Sequence, residues 1–495
     1  MADTAGLIRL GYIGGDGVVV PSYGEWITVV NPATGETIAQ VHEISAPDLD
    51  TVIEQAHDAF VSIWRSTSPD ERGRLIGRWA DRIETHRDEL ADLEVADVGH
   101  LRSEVLGDID SSVRTLRYFA GIADKIEGTT YAQVPGRLAY GLDEPFGVVA
   151  GISPYNGNPN FVTMKSAPAL VAGNCIVHKA PEISPLLSYR MVELAIESGI
   201  PPGVISMVSG RGEVVGPLLG EHPRIGMIAF TGSPGAGRAV LGASARNIVP
   251  VVLELGGKSP SILLPDANLE AAIPSVLHSN FVKSGQSCVA GSRILVHESL
   301  YEQVCAELAS RAKAIRVGLP TLPSSQMGTL ISREHRARVD KLVRDGVAAG
   351  ATCLAGGAPA DDGDLAGGAF YQPTVLADVA DDNPVATTEA FGPVASVLAY
   401  RDLDDALSRA NNTDMGLSAQ IWGNDAAAIH YLAGNLTAGT VWINTYRAFH
   451  PSVPFGGMKQ SGIGLENGFA SISMYTQHKS IVWNLSTDHA LPYDD

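Results

Sequence analysis

Gly285-Gln-Ser-Cys288 sets a sulfur one residue past a glycine-bearing turn, between an apolar helical run and the apolar Arg293-Ile-Leu-Val-His297. A thiol packed on both sides yet carried on a loop is placed as a nucleophile must be: fixed, and open to a ligand. The same setting suits a small buried hydrophobe, the usual state of an intracellular free cysteine. Cys175, Cys305 and Cys353 fit that second description, since none follows a glycine turn. Other polar groups punctuate the ends of apolar runs: Asn156 in Ser153-Pro-Tyr-Asn156, Lys179 and Glu182, Ser233 in Phe230-Thr-Gly-Ser233, and Glu254 in Glu254-Leu-Gly-Gly257. Each has a plain alternative, as a helix cap, a solvated strand end or a hinge.

The elements that must position these groups are legible as periodicity. Apolar strand-like runs at 147–152, 174–179, 204–208, 225–230 and 249–255 alternate with helix-like runs near 160–172, 184–198, 212–220 and 234–245. That alternation predicts a parallel sheet covered on both faces, with ligands gathered beyond the carboxyl ends of its strands. The polar groups fall at those ends. Upstream, helices are expected over Pro47–Trp64, Pro69–Glu94 and Ser111–Asp124, and Gly128–Asp143 reads as an arm leaving the domain. Downstream, Leu269 to Phe281 has helical spacing with Pro274 as a kink. A second α/β region continues to about residue 460, with helices at 299–315, 332–349 and 403–411, and the tail 475–483 reads as an exposed strand.

The 495 residues allow roughly three domains by a prior of about 150 residues each. A net charge of −20 without a basic cluster argues against nucleic acid as a partner. No basic-then-apolar leader opens the chain, and no apolar run reaches the ~18 residues of a membrane span, so a cytoplasmic protein is expected. The four cysteines lack metal or C-x-x-C spacing, and no paired-histidine motif points to a metal. Gly256-Gly-Lys-Ser259 imitates a P-loop, but Val252 stands where that motif needs glycine. Gly232-Ser-Pro-Gly235-Ala-Gly237 has the wrong order for a dinucleotide fingerprint, although a helix start there can still receive a pyrophosphate.

Together with Leu253-Glu-Leu-Gly-Gly-Lys-Ser-Pro260, Glu389-Ala-Phe391-Gly-Pro393, Trp442-Ile-Asn444 and Pro454-Phe-Gly-Gly457, these stretches resemble the aldehyde dehydrogenase superfamily over most of the chain. The resemblance implies a Rossmann-like cofactor domain (1–121 with 146–256), an α/β catalytic domain (257–460) and a small β oligomerisation arm (122–145 with 470–495), forming a homodimer or homotetramer. It implies oxidation of an aldehyde to an acid with NAD, NADP being the second candidate. Cys288 matches the nucleophile, Glu254 the general base, Asn156 the oxyanion donor, and Lys165 and Glu466 groups that assist proton movement. Ser153, Pro154, Lys179, Glu182, Gly232, Ser233, Leu255, Glu389 and Phe391 match cofactor contacts. Gly157, Phe161, Met164, Val289 and Phe449 match a substrate tunnel.

The chemistry suits these types. A thiolate adds to the aldehyde carbon, two N–H donors hold the oxyanion at about 3–4 kcal/mol each, and a carboxylate then directs water at the thioester. A free thiol pKa near ~8.5 lies within reach of a basic neighbour. Glu182 near the ribose favours NAD, because a carboxylate repels a 2′-phosphate. Three departures from the family pattern stand out. Gly157 replaces a bulky residue, which would widen the tunnel for a bulky or aromatic aldehyde unless neighbours refill it. Arg447 and His450 put polar groups at tunnel positions, where Arg447 is either a carboxylate-attracting residue or an ordinary surface arginine. Leu465 replaces an arginine before Glu466. Two other readings remain: a coenzyme-A-acylating semialdehyde dehydrogenase, and a non-catalytic structural relative.

Overall fold

The computed structural model describes residues 7–133 and 135–485. The five apolar runs form strands β1 (Val148–Ile152), β2 (Cys175–Lys179), β3 (Ile205–Val208), β4 (Ile225–Thr231) and β5 (Val251–Glu254). They lie parallel in the order β5-β4-β1-β2-β3. Helices α5 (Asn158–Val171), α6 (Leu186–Glu197), α7 (Gly212–Gly220) and α8 (Pro234–Ser244) connect them. Burial on both faces accounts for the unbroken apolar character of these strands. The chain reverses its direction of travel across the sheet between β1 and β4, and such a switch opens a crevice at the strands' carboxyl ends. Short antiparallel strands, Tyr12–Gly14 next to β3 and Gly462–Ile463 next to β5, extend the two edges.

Four helices precede the sheet: α1 (Ala46–Ser62), α2 (Pro69–Thr85), α3 (Arg87–Val98) and α4 (Arg102–Ile122). Ser45 and Ser68 accept backbone N–H bonds and Pro47 and Pro69 follow, so the first two starts were readable. The helix expected over Pro69–Glu94 is in fact two. It breaks at His86 (φ −99°, ψ 19°), which lets both pieces lay an apolar face on α4 and α6. The helix expected from Ser111 begins nine residues earlier, at Arg102. Its cap residue is Leu101, whose backbone N–H is taken by Glu104, so no Ser, Thr, Asp or Asn marks the start. Trp79 of α2 is fully buried and donates its indole N–H to the Met191 carbonyl of α6 at 2.9 Å.

Beyond β5 a second sheet contains β6 (Pro260–Leu263), β7 (Arg293–His297), β8 (Thr352–Ala355), β9 (Thr374–Ala377), β10 (Val394–Tyr400), β11 (Ser418–Trp422) and β12 (Thr440–Ile443). Their order is β8-β9-β10-β7-β6-β11-β12, and only the β8–β9 pair is antiparallel. Helix α9 (Leu269–Phe281) continues as one helix past Pro274, which lies on its exposed face. The strand Arg137–Pro145 leaves the body and pairs along its length with Thr476–Asn484. Residues 486–495 of the anticipated arm lie outside the described residues. Cys353, expected among the buried thiols, is exposed on β8, the sheet's edge strand.

The turn that carries Cys288 follows α9. Lys283, Ser284 and Gly285 all adopt positive φ, at 53°, 55° and 73°. For non-glycine residues this conformation costs on the order of 1–2 kcal/mol each, so surrounding contacts must impose it. Those contacts are present. The Lys283 backbone N–H donates to Glu104 at 2.7 Å, and the buried Gln286 side chain bonds the Lys283 and Thr329 carbonyls at 3.1 and 3.2 Å. Gln286 Oε1 accepts the Ile331 N–H at 2.9 Å. At Gly285 a Cβ would stand 2.2 Å from the Gly392 carbonyl oxygen. Gly285→Ala is therefore expected to destabilise the protein by at least ~2 kcal/mol and to displace the cysteine loop. Thermal unfolding and activity measured together check this, and a variant with unchanged melting temperature and turnover would contradict it.

Candidate active site

Two cavities meet at Cys288. One, of about 560 Å³, is lined by Asn156, Gly157, Phe161, Met164, Glu254, Val289, Phe449 and Glu466 among others. The other, of about 490 Å³, is lined by Pro154, Gly232, Ser233, Leu255, Glu389 and Phe391 among others. Asn156, Phe161, Thr231, Leu255 and Cys288 belong to both. The sulfur thus lies where an occupant of either space can reach it. Strand ends supply the groups around it: Asn156 follows β1, Thr231 ends β4 and Glu254 ends β5.

Asn156 donates its side-chain N–H to the Gln286 carbonyl at 2.9 Å, which ties the asparagine to the cysteine loop and leaves its second N–H uncommitted. Glu254 is almost fully buried, and neither carboxylate oxygen has a hydrogen-bond partner among the described residues. Beside it, the buried Lys165 ammonium donates to Glu466 at 2.6 Å and to the Thr231 hydroxyl at 2.7 Å. Leu465 does not prevent this, because the Glu466 backbone is fixed by paired bonds with Phe455 at 2.7 and 2.8 Å. Glu389 accepts the Gly257 N–H at 3.1 Å and packs against Gly256, where a Cβ would meet its carboxylate at 2.2 Å. Ser233 caps α8, its hydroxyl accepting from the Ala236 N–H.

Not every anticipated residue reaches a cavity. Lys179 and Glu182 pair with each other at the end of β2 and line neither space. The Ser153 hydroxyl is buried without a partner among the described residues, and its backbone N–H donates to the Lys179 carbonyl at 3.3 Å. Gly157 does not widen the tunnel: where its side chain would begin, the Phe161 ring lies 3.2 Å and the Lys283 ammonium 3.6 Å away. Arg447 is not a surface arginine, since its side chain is 23 % exposed and lines the larger cavity. Gln286, Thr231, Lys283 and Asp108 also build the site, and sequence reasoning passed over them. Gln286 and Thr231 stand inside the quoted stretches but drew no role of their own, and Lys283 and Asp108 are single polar residues in separate elements that no local spacing marks.

Burial dominates the electrostatics. It pushes the Cys288 thiol up to about 12, with Glu389 and then Glu254 adding to the effect and Arg447 opposing it. The Arg447 charge does not offset that burial, contrary to the expectation of a readily formed thiolate. Burial, and then the Glu466 carboxylate, hold Glu254 well above the ordinary carboxyl range, with Lys165 opposing. Burial raises Glu389 to about 7. The resting thiol is therefore neutral, and burial works against the ionised form of Glu254. Alkylation of Cys288 in cofactor-free enzyme should accelerate close to tenfold per pH unit from about pH 7 to about pH 10, because thiolate is the reacting form throughout. Mass-spectrometric alkylation rates test this, and a plateau near ~8.5 would show that the thiol is not so perturbed.

The model of the aldehyde dehydrogenase family matches residues 19–481. DhaS of Bacillus subtilis (strain 168) is 41 % identical over 473 residues, 95 % of each chain. The crystal structure of PnpE from Pseudomonas sp. WBC-3 superposes with a TM-score of 0.96 at 39 % identity, over 99 % of this chain and 100 % of that one. Betaine aldehyde dehydrogenase from Staphylococcus aureus, solved in complex with NAD+, superposes with a TM-score of 0.96 at 33 % identity, over 99 % and 97 % of the two chains.

Proposed function

The chain belongs to the aldehyde dehydrogenase family, and we propose that in it Cys288, Asn156 and Glu254 carry an NAD-dependent oxidation of an aldehyde to a carboxylic acid. The observation that supports this most is the placement of Cys288 at the junction of two cavities, one of which also contains Glu254. One space takes the aldehyde and the other the nicotinamide.

The residues of the second cavity suit a dinucleotide. The first turn of α8 offers backbone N–H groups to a pyrophosphate, and Glu389 and Phe391 wall the end nearest the sulfur. When bound, NAD supplies the acceptor for the hydride leaving the substrate carbon. The protein's own groups perform the rest. With its proton given up to water in the cavity, the Cys288 sulfur adds to the aldehyde carbon, and the new oxyanion takes the free Asn156 N–H and the Cys288 backbone N–H. Loss of hydride leaves a thioester. Glu254, once ionised, removes a proton from water as its oxygen attacks that thioester; acid is released and the sulfur regenerated. The Lys165–Glu466 pair, fully buried beside Glu254, offers that proton a way out. A carboxylate in the cavity favours water over coenzyme A as acyl acceptor.

The same reading divides the chain into a cofactor domain (1–121 with 146–256), a catalytic domain (257–460) and an arm (122–145 with 470–495). The exposed Val482 and Trp483 on the arm support its use in dimers or tetramers. Four unpaired cysteines suit a reducing cytoplasm.

Cys288→Ala should abolish both dehydrogenase and esterase turnover. Glu254→Gln should retain a stoichiometric NADH burst while steady-state turnover falls at least ~100-fold. Rapid-mixing absorbance separates the two phases, and full steady-state turnover in Glu254→Gln would refute its role as base. Ile183 and Ser233 wall the second cavity, so a dinucleotide running past its edge meets the partly exposed Glu182 beyond it, and there Glu182 should make kcat/KM for NAD exceed that for NADP by at least ~10-fold, equivalent to ~1.4 kcal/mol. Paired initial-rate measurements decide it, a preference for NADP being the contrary result.

A further inference from the structure

The cavity on the substrate side of Cys288 is more charged than an apolar aldehyde requires. Besides the proposed reacting groups, its wall carries Lys283, Arg447 and, at an exposed position, Arg114, together with two carboxylates, Glu104 and Asp108. Both carboxylates are committed elsewhere. Glu104 accepts the backbone N–H groups of Lys283 at 2.7 Å and Leu101 at 3.0 Å. Asp108 holds the Lys283 ammonium directly, and that ammonium also donates to the Asn156 carbonyl at 2.9 Å.

Arg447 is left over. Its ion-pair partner among the described residues is Asp108, at 3.8 Å, beyond hydrogen-bond reach. It nonetheless sits largely out of solvent, on a backbone held at φ 52°, near enough to Cys288 to act on its charge. A guanidinium set in a cavity wall with only a loose ion pair has donors to spare for an anionic ligand in that cavity.

We propose that this cavity takes aldehydes whose far end is a carboxylate, and that Arg447 is the residue that selects them. The planar guanidinium fork binds a carboxylate through two parallel N–H bonds, which a lysine cannot reproduce. Asp108, already satisfied by Lys283, can release its loose hold on Arg447 without losing its own partner. This inference rests on the reading of Cys288 as the aldehyde-attacking group.

The test compares an ω-oxo carboxylate of about four to six carbons with its methyl ester, in wild type, Arg447→Gln and Arg447→Lys, with NAD present. In wild type, kcat/KM for the acid should exceed that for the ester by at least ~10-fold, in keeping with a charged hydrogen-bonded contact. That ratio should collapse toward one in Arg447→Gln and fall part of the way in Arg447→Lys. Because the ratio is internal to each variant, a general loss of folded enzyme cancels. A wild-type ratio at or below one, or the same ratio in Arg447→Gln, overturns the proposal. Calorimetric binding of the matching dicarboxylate to the NAD-loaded protein separates this inference from the reaction itself. Binding that weakens at least ~10-fold in Arg447→Gln supports the anion site even if no aldehyde is oxidised, in which case the reaction assignment fails and the site stands. Absent or Arg447-independent binding overturns the site whatever the turnover.

Discussion

The structure depends on a short run of unfavourable backbone. Three consecutive residues in the left-handed region, Lys283 to Gly285, turn the chain from α9 back toward the sheet crevice and deliver Cys288 between two cavities. Such a turn does not hold itself. Glu104 reaches from α4, Gln286 grips the loop from within, and the close approach of Gly392 leaves no room for a Cβ at Gly285. Elements from both halves of the chain are thus spent on holding one sulfur in place, and strain of this kind persists only where the surroundings over-determine it.

Burial around that sulfur has a chemical consequence. A site dry enough to protect a thioester from stray water also suppresses ionisation of the proposed nucleophile and the proposed base. Both groups are held back from ionising, and an occupant that alters hydration or charge at the junction shifts that balance. The ion pair beside the proposed base, Lys165 with Glu466, is buried and internally matched, with Glu466 on the cavity wall. Its charges act on Glu254 in opposite senses, the carboxylate raising it and the ammonium lowering it.

The larger cavity shows how packing overrides composition. Glycine at position 157 suggests room, yet the Phe161 ring and the Lys283 ammonium occupy that room. Space is decided by the neighbours, and here the neighbours bring charge. The polar wall of Lys283, Asp108 and Arg447 replaces the apolar bulk that the aromatic group of Trp442, Phe449 and Phe455 retains on another side.

Periodicity and strand-end chemistry in the sequence determined the alternating strands and helices from Val148 to Glu254, the α/β class and the family. Such patterns are local, so one chain in order suffices to read them. Cys288, Glu254 and Asn156 were legible because each closes a recognisable stretch at a strand end or turn. The break at His86 and the early start of α4 were not, because they answer to packing between helices rather than to caps. Only the tertiary structure decided that Lys179 and Glu182 stay outside the cavities, that Gly157 is filled, and that Arg447 is enclosed rather than solvated. Those outcomes depend on the distance between groups far apart in the chain, and on which of them lose water, neither of which the order of residues expresses.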